Sequence, residues 1–241
     1  MDWLNRILNL KVKIFADGAD RAGILEMYQK PFIKGFTTNP TLMRKAGVTN
    51  YKEFALDILK AIPDKPISFE VFSDDFSEME GQALEISSWG ENVYVKIPVT
   101  NTKREPSYDL IARLVRAGVK VNVTAMMTLE QVREVASLVK GGPPCFASIF
   151  AGRIADTGID PMSIMTTAVE VLRLTPNVEL IWASPRELLN ILQADAIGCH
   201  IITVTNDILN KLHLVGKDLD SYSLDTVRMF YSDALKAEYI L

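Results

Sequence analysis

Eight short, strongly apolar segments recur along the chain, and stretches with apolar residues at helical spacing lie between them. The segments are residues 12–16, 35–38, 67–72, 93–97, 119–124, 145–150, 178–183 and 201–205. Each is a nearly continuous run rather than an alternation of apolar and polar residues. That suits strands of a parallel sheet buried on both faces. The intervening stretches read as amphipathic helices. Phe54, Ala55, Ile58 and Leu59 share one face within 51–61, as do Leu110, Ile111, Leu114 and Val115 within 107–117. Val132, Val135, Ala136 and Val139 do the same within 129–139, and residues 161–174, 185–194 and 207–214 follow the pattern. Gly118, Gly141 and Gly142 stand where helix C-termini are expected.

Eight strands alternating with helices at intervals of about 25 to 30 residues predict an α/β fold, a closed (β/α)8 TIM barrel. The alternative, an open doubly wound sheet, usually carries a glycine-rich phosphate loop after its first strand. Here Asp17-Gly18-Ala19-Asp20 occupies that place, and it is not such a loop. No linker or low-complexity tract interrupts the 241 residues, so residues 1–241 are expected to form one barrel domain. Trp3, Leu4, Ile7, Leu8 and Leu10 suggest a short N-terminal helix within 1–10 that caps the barrel or meets another subunit. Residues 221–241 read as a terminal helical segment, a second candidate for a subunit contact.

Charge and cysteine content narrow the partners. A net charge of −4 argues against nucleic acid as a main partner, because binding a phosphate backbone needs a basic surface. No stretch approaches the roughly 18 apolar residues of a membrane span, and the start of the chain lacks the pattern of a secretion signal. No membrane partner is therefore expected. Cys145 and Cys199 sit in apolar surroundings and have no metal-ligand spacing, so they read as reduced packing residues of a cytoplasmic protein.

In a barrel of this kind the chemistry lies at the C-terminal ends of the strands. Polar residues there include Asp17, Thr37-Thr38-Asn39, Glu70, Lys96, Asn122, Thr124, Ser148, Arg153, Ser184, Arg186 and Thr205-Asn206. Lys96 is the most informative. It interrupts Val93-Tyr94-Val95 and Ile97-Pro98-Val99, where a charge is costly unless paired or neutralised. A buried amine in neutral form can attack a carbonyl. Taken alone, Lys96 reads more readily as a structural lysine, either in an ion pair or facing outward at a strand edge. Asp17 and Glu70 on other strands shift the balance, because they offer an acid–base pair beside it. Arg153 and Arg186, with Ser184, suit an anion near the last strands, and taken singly they suit equally well surface pairing with acids such as Asp156 or Glu187.

Several segments together resemble one family. Thr37-Thr38-Asn39-Pro40-Thr41-Leu42 resembles the TTNP(S/T)L motif of transaldolases, and Val95-Lys96-Ile97-Pro98 resembles their Schiff-base lysine motif. Asn122-Val123-Thr124, Ser148-Ile149-Phe150-Ala151-Gly152-Arg153 and Ala183-Ser184-Pro185-Arg186 are similar to three further motifs, all in order along nearly the whole chain. Ile149 and Pro185 depart from the usual pattern. Pro185, between two of the anion-binding candidates, bears on the shape of that pocket.

The resemblance implies a class I aldolase-like barrel with a division of labour. Lys96 is implied as the Schiff-base nucleophile and Asp17 as the acid/base at the substrate's C4 hydroxyl. Glu70 and Thr124 are implied to handle water and protons. Thr38, Asn39, Asn122, Ser148 and Phe150 are implied as substrate contacts, and Arg153, Ser184 and Arg186 as ligands of the sugar phosphate. No metal or other cofactor is expected, since a protonated imine serves as electron sink. Fructose-6-phosphate aldolases of the same subfamily typically have Gln and Tyr where this chain has Glu70 and Phe150. The resemblance therefore favours a transaldolase moving a dihydroxyacetone unit from sedoheptulose 7-phosphate or fructose 6-phosphate to glyceraldehyde 3-phosphate or erythrose 4-phosphate, as in the pentose phosphate pathway. An aldolase, a transaldolase for a sugar with another anion such as sulfonate, and a non-catalytic sugar-phosphate-binding barrel are the alternatives. A homo-oligomer, ring-like as in small transaldolases, is also implied.

Overall fold

A computed structural model describes residues 2–239. Residues 1, 240 and 241, the extreme ends of the two terminal segments, lie outside the described residues. Eight parallel strands close into a barrel in chain order, β1 pairing with both β2 and β8. They are β1 (Lys13–Asp17), β2 (Ile33–Thr37), β3 (Ile67–Glu70), β4 (Val93–Pro98), β5 (Val121–Met126), β6 (Cys145–Ile149), β7 (Val178–Trp182) and β8 (Ile201–Thr205). The expected barrel is thus the observed one, with strand limits displaced by at most two residues.

The helices are α1 (Asp2–Leu8), α2 (Arg21–Tyr28), α3 (Pro40–Lys45), α4 (Tyr51–Ala61), α5 (Phe76–Ser87) and α6 (Tyr108–Arg116). After them come α7 (Leu129–Val139), α8 (Ala151–Ala155), α9 (Met162–Leu172), α10 (Leu189–Ala196), α11 (Asn206–Leu209) and α12 (Leu219–Lys236). The helical pattern of 207–214 breaks in the structure into α11 and a separate 3-10 turn at Leu212–Leu214. The helix expected from residue 185 starts only at Leu189. Arg186 and Glu187 are held in a loop by their N–H groups, which donate to Asn190 Oδ1 at 2.8 and 3.1 Å. Apolar periodicity predicts no helix at α2, α3, α5 or α8. Two of these are five or six residues long, and α2 and α5 each carry a glycine, Gly23 and Gly81, that weakens propensity.

Side chains from the outer faces of the strands fill the layer between barrel and helices: Ile14, Phe36, Phe69, Val95, Ile97, Val123, Leu180 and Val204 are all buried there among helix residues such as Ile58, Leu110 and Val135. A second, smaller cluster lies apart from that layer, formed by Phe15, Phe146, Ile181, Ala183 and Ile201 with Tyr94 and Phe150 against it. Phe15 meets Phe146 edge-on at 5.8 Å, and Tyr94 stacks on Phe146 at 3.8 Å. These rings plug the barrel interior toward its N-terminal end. Gly35 makes room for them, since a Cβ there would lie 2.5 Å from the Phe15 ring.

The terminal helices behave differently. In α1, Ile7 is buried and Trp3 meets Phe32 at 6.5 Å, so this helix packs against the layer around the barrel. No residue of α12 is buried, and Leu224, Val227, Phe230, Tyr231 and Leu235 lie exposed along it. No helix among the described residues is long and apolar enough to cross a membrane.

Candidate active site

Strand register gathers the polar residues at one end of the barrel. Asp17 is level with Thr37 and Thr205, Glu70 with Lys96, Lys96 with Asn122, and Pro98 with Thr124. Residues two apart on a strand share a face, so Lys96 stands directly above Tyr94 and Asn122 lies two before Thr124 on the inner wall. The result is a cavity of about 590 Å³ at the C-terminal mouth. Asp17, Asn39, Glu70, Lys96, Asn122, Thr124, Ser148, Phe150, Arg153, Ser184 and Arg186 all border it.

Lys96 is only 6% exposed. Its Nζ lies 3.0 Å from Glu70 Oε2 and donates to the Thr38 carbonyl at 2.8 Å. The buried amine therefore sits in an ion pair, with one backbone acceptor and the cavity for company. Asp17 accepts a 2.7 Å hydrogen bond from Thr37 Oγ1, which in turn shares one of 2.5 Å with Thr203 Oγ1. Burial pushes the Asp17 carboxyl above its ordinary value. Lys96 and the Thr37 hydroxyl pull it back in part, and Glu70 adds to the rise.

On the far wall, Ser148 Oγ donates to Asn122 Oδ1 at 2.7 Å, and Asn122 Nδ2 donates to Ser68 Oγ at 3.0 Å. This buried chain fixes the Asn122 amide with its nitrogen toward β3 and its oxygen toward β6. The Thr124 hydroxyl, also buried, has no partner among the described residues. It thus keeps a free donor and acceptor at the cavity wall. Ala125 follows it at φ +61° in the irregular stretch of β5, between Val123 and Met126, where the pairing with β6 shifts.

The anion-binding candidates come from the loops after β6 and β7. Arg153 extends from α8 with its guanidinium 5.9 Å from the Phe150 ring. Arg186 is engaged by Asp156 through two hydrogen bonds, Nε to Oδ1 at 2.8 Å and Nη2 to Oδ2. Arg186 holds the Asp156 carboxyl below its usual range. Both side chains are about half exposed, so water competes for the pair. Ser184 adopts φ +61°, a left-handed conformation costly for a residue with a Cβ. Its carbonyl faces Gly152 so closely that any Cβ at 152 would collide with it. Gly152 is what allows α8 and the β7 loop, and with them Arg153 and Arg186, to converge on one corner.

Thr38, implied as a substrate contact by the family resemblance, is fully buried away from the cavity, and its hydroxyl donates to the Ser68 carbonyl at 2.9 Å. Thr37 borders the cavity instead. Strand alternation explains this: Phe36 packs outward, so Thr37 points inward and Thr38 does not. Asn39 does border the cavity, while its Oδ1 caps α3 by accepting from the Leu42 N–H at 2.9 Å. Thr203 and Asp207 also line the cavity and were not singled out from sequence. The period-2 partnership of Thr203 with Thr205 was the available signal for the first.

Residues 14–239 match the model of the family described as transaldolase/fructose-6-phosphate aldolase. A "Probable transaldolase" of Dehalococcoides mccartyi is 33% identical over 202 residues, covering 83% of this chain and 90% of that protein. One of the same description from Streptococcus agalactiae is 31% identical over 218 residues, covering 89% and 97%. Among solved structures, 2,3-dimethylmalate lyase, a member of the PEP mutase/isocitrate lyase superfamily, superposes with a TM-score of 0.54. It does so at 12% identity, over 99% of this chain and 88% of that one. A likeness that remote speaks for the barrel fold alone.

Proposed function

The chain belongs to the transaldolase/fructose-6-phosphate aldolase family, and on that footing we propose that it transfers a dihydroxyacetone unit between sugar phosphates through a Schiff base on Lys96. The observation that carries this reading is the placement of Lys96: a buried amine against Glu70, opening into the cavity that Asp17 also borders. Lys96 gives a proton to Glu70 and attacks the ketose carbonyl at C2. The carbinolamine loses water to form the iminium, with the proton supplied by Glu70. The free Thr124 hydroxyl suits holding that water. Asp17 then removes the C4 hydroxyl proton while the C3–C4 bond breaks, and its electrons flow into the iminium to leave an enamine. A carboxyl whose pKa burial has raised is a stronger base for this step than an ordinary one. The aldose phosphate departs, the enamine attacks the aldehyde of the acceptor while Asp17 returns its proton to the new alkoxide, and water hydrolyses the iminium to free Lys96. Splitting the reaction into two covalent halves lowers each barrier.

Asn39, Asn122 and Ser148 suit the hydroxyls of the bound unit. Arg153, Ser184 and Arg186 suit the phosphate, with Arg186 exchanging Asp156 for it. Phe150 at the cavity wall has no proton to give the enamine, which favours transfer over release of free dihydroxyacetone. Sedoheptulose 7-phosphate and fructose 6-phosphate as donors, with glyceraldehyde 3-phosphate and erythrose 4-phosphate as acceptors, fit this arrangement. We read the chain as a single barrel domain. Buried, unbridged Cys145 and Cys199 suit a reducing compartment such as the cytoplasm. The uncovered α12 suits a contact between copies in a homo-oligomer.

The test is incubation with fructose 6-phosphate and borohydride, followed by mass analysis. An adduct on Lys96, lost in Lys96→Met, supports the Schiff base; an unmodified Lys96 removes it. Adding erythrose 4-phosphate distinguishes transfer from cleavage. Release of free dihydroxyacetone at a rate indifferent to the acceptor would make the protein an aldolase.

A further inference from the structure

The ladder between β2 and β3 breaks at Glu70. Phe36 N–H donates to the Pro66 carbonyl at 2.9 Å, and Thr38 N–H to that of Ser68 at 3.1 Å. Advancing by two on each strand, the next rung would run from the N–H of residue 40 to the Glu70 carbonyl. Residue 40 is proline, which has no N–H and starts α3. The alternation of a parallel ladder would also send the Glu70 N–H to the Thr38 carbonyl. That carbonyl already accepts from Lys96 Nζ. Both backbone groups of Glu70 would thus face a gap on the β2 side, and an unpaired buried backbone group is costly.

A single hydroxyl fills the gap. Tyr51 Oη, from the first residue of α4, donates to the Glu70 carbonyl at 2.8 Å and accepts from the Glu70 N–H at 2.8 Å. The ring is held edge-on against Phe69 at 6.4 Å and Phe72 at 5.6 Å, with Trp89 tilted at 6.0 Å. Burial pushes the phenol well above its usual range, so it keeps the proton it needs to act in both directions. On the opposite side, Val71 N–H donates to the Lys96 carbonyl at 3.2 Å and closes the β4 edge.

We propose that Tyr51 is a positioning residue for the Glu70–Lys96 pair: its hydroxyl replaces the missing rung and leaves the Thr38 carbonyl to the lysine. The functional half of this inference rests on the Schiff-base reading above. Without the hydroxyl, the Glu70 N–H competes with Lys96 for the Thr38 carbonyl, and both ends of the ion pair lose their placement.

Tyr51→Phe keeps the ring and removes only the hydroxyl, and Trp89→Phe serves as a packing control in the same aromatic cluster. Three quantities are measured: amide hydrogen exchange at Glu70, the rate of borohydride-trappable adduct formation with fructose 6-phosphate, and kcat and KM. In Tyr51→Phe, Glu70 exchange is expected to quicken, while adduct formation and kcat fall on the order of 10²-fold and KM stays within about threefold. Trp89→Phe is expected to lower thermal stability and leave kcat unchanged. Wild-type rates in Tyr51→Phe, or an equal loss of kcat in Trp89→Phe, would overturn the proposal. Absence of any adduct in the wild type would overturn the Schiff-base reading instead, and Glu70 exchange would still decide the clamp.

Discussion

The carboxylate of Glu70 and the amine of Lys96 are neighbours by strand register, paired across β3 and β4 at the same level and 3.0 Å apart at their tips. A proton can pass between them without either side chain leaving its rotamer. Glu70→Gln keeps the shape and removes that exchange, since an amide cannot accept the proton. Adduct formation on Lys96 should slow by about 10²- to 10⁴-fold, and the adduct should still appear at long times. Time-resolved borohydride trapping reads both.

Asp17→Asn should trade activity for stability. The native carboxyl holds its proton to higher pH than the unfolded chain, whose value is the ordinary 3.8. Between that value and the native one, the folded state binds more protons, so stability falls as pH rises. Above the native value the penalty is fully present, and below 3.8 it is gone. The variant should therefore melt at a higher temperature than the wild type at pH 7, and the advantage should shrink as pH falls through the native pKa. Turnover should drop by about 10²- to 10⁴-fold. Parallel melting curves across pH, with a transfer assay at pH 7, check the two halves.

Gly152→Ala should damage the anion corner selectively. The added methyl meets the Ser184 carbonyl, and one of the two loops must withdraw. Overpacking of this sort costs about 1–3 kcal/mol of stability. The KM for erythrose 4-phosphate should rise by about tenfold or more, as Arg153 and Arg186 cease to converge on the phosphate. An unphosphorylated aldehyde acceptor should show little change. Equal losses for both acceptors would indicate general misfolding.

The exposed stripe of α12 gives a prediction about assembly. Phe230→Glu and Val227→Glu, separately or together, should shift the protein toward monomer in size-exclusion chromatography with light scattering. Monomeric wild-type protein would leave this helix without the role suggested for it.

The barrel was legible because each strand announces itself as a nearly continuous apolar run, and Lys96 was conspicuous for interrupting one. Helices α4 and α7 were readable to the residue for a similar reason, their apolar positions repeating cleanly at helical spacing. Short α3 and α8, and the glycine-bearing α2 and α5, lacked that repetition. Within the site, side chains on regular strands could be placed by parity, and the Thr37–Thr38 reversal shows how one residue of register decides which hydroxyl meets the cavity. From sequence the Asp156–Arg186 pair is only one alternative, because a long exposed arginine has several acids in reach and only the loop geometry selects one. Tyr51 gave no signal at all. Its partner is the backbone of another element, 19 residues on, and its value lies in an absent N–H at Pro40.

The aromatic plug of Phe15, Tyr94 and Phe146 has a kinetic corollary. With the lower end of the barrel stoppered, donor, acceptor, product and water share a single doorway. For the proposed transfer, the first aldose must vacate before the second can enter, so both compete for the same vacancy. A surplus of acceptor should then inhibit by occupying the free enzyme, and double-reciprocal plots should run parallel when it is scarce.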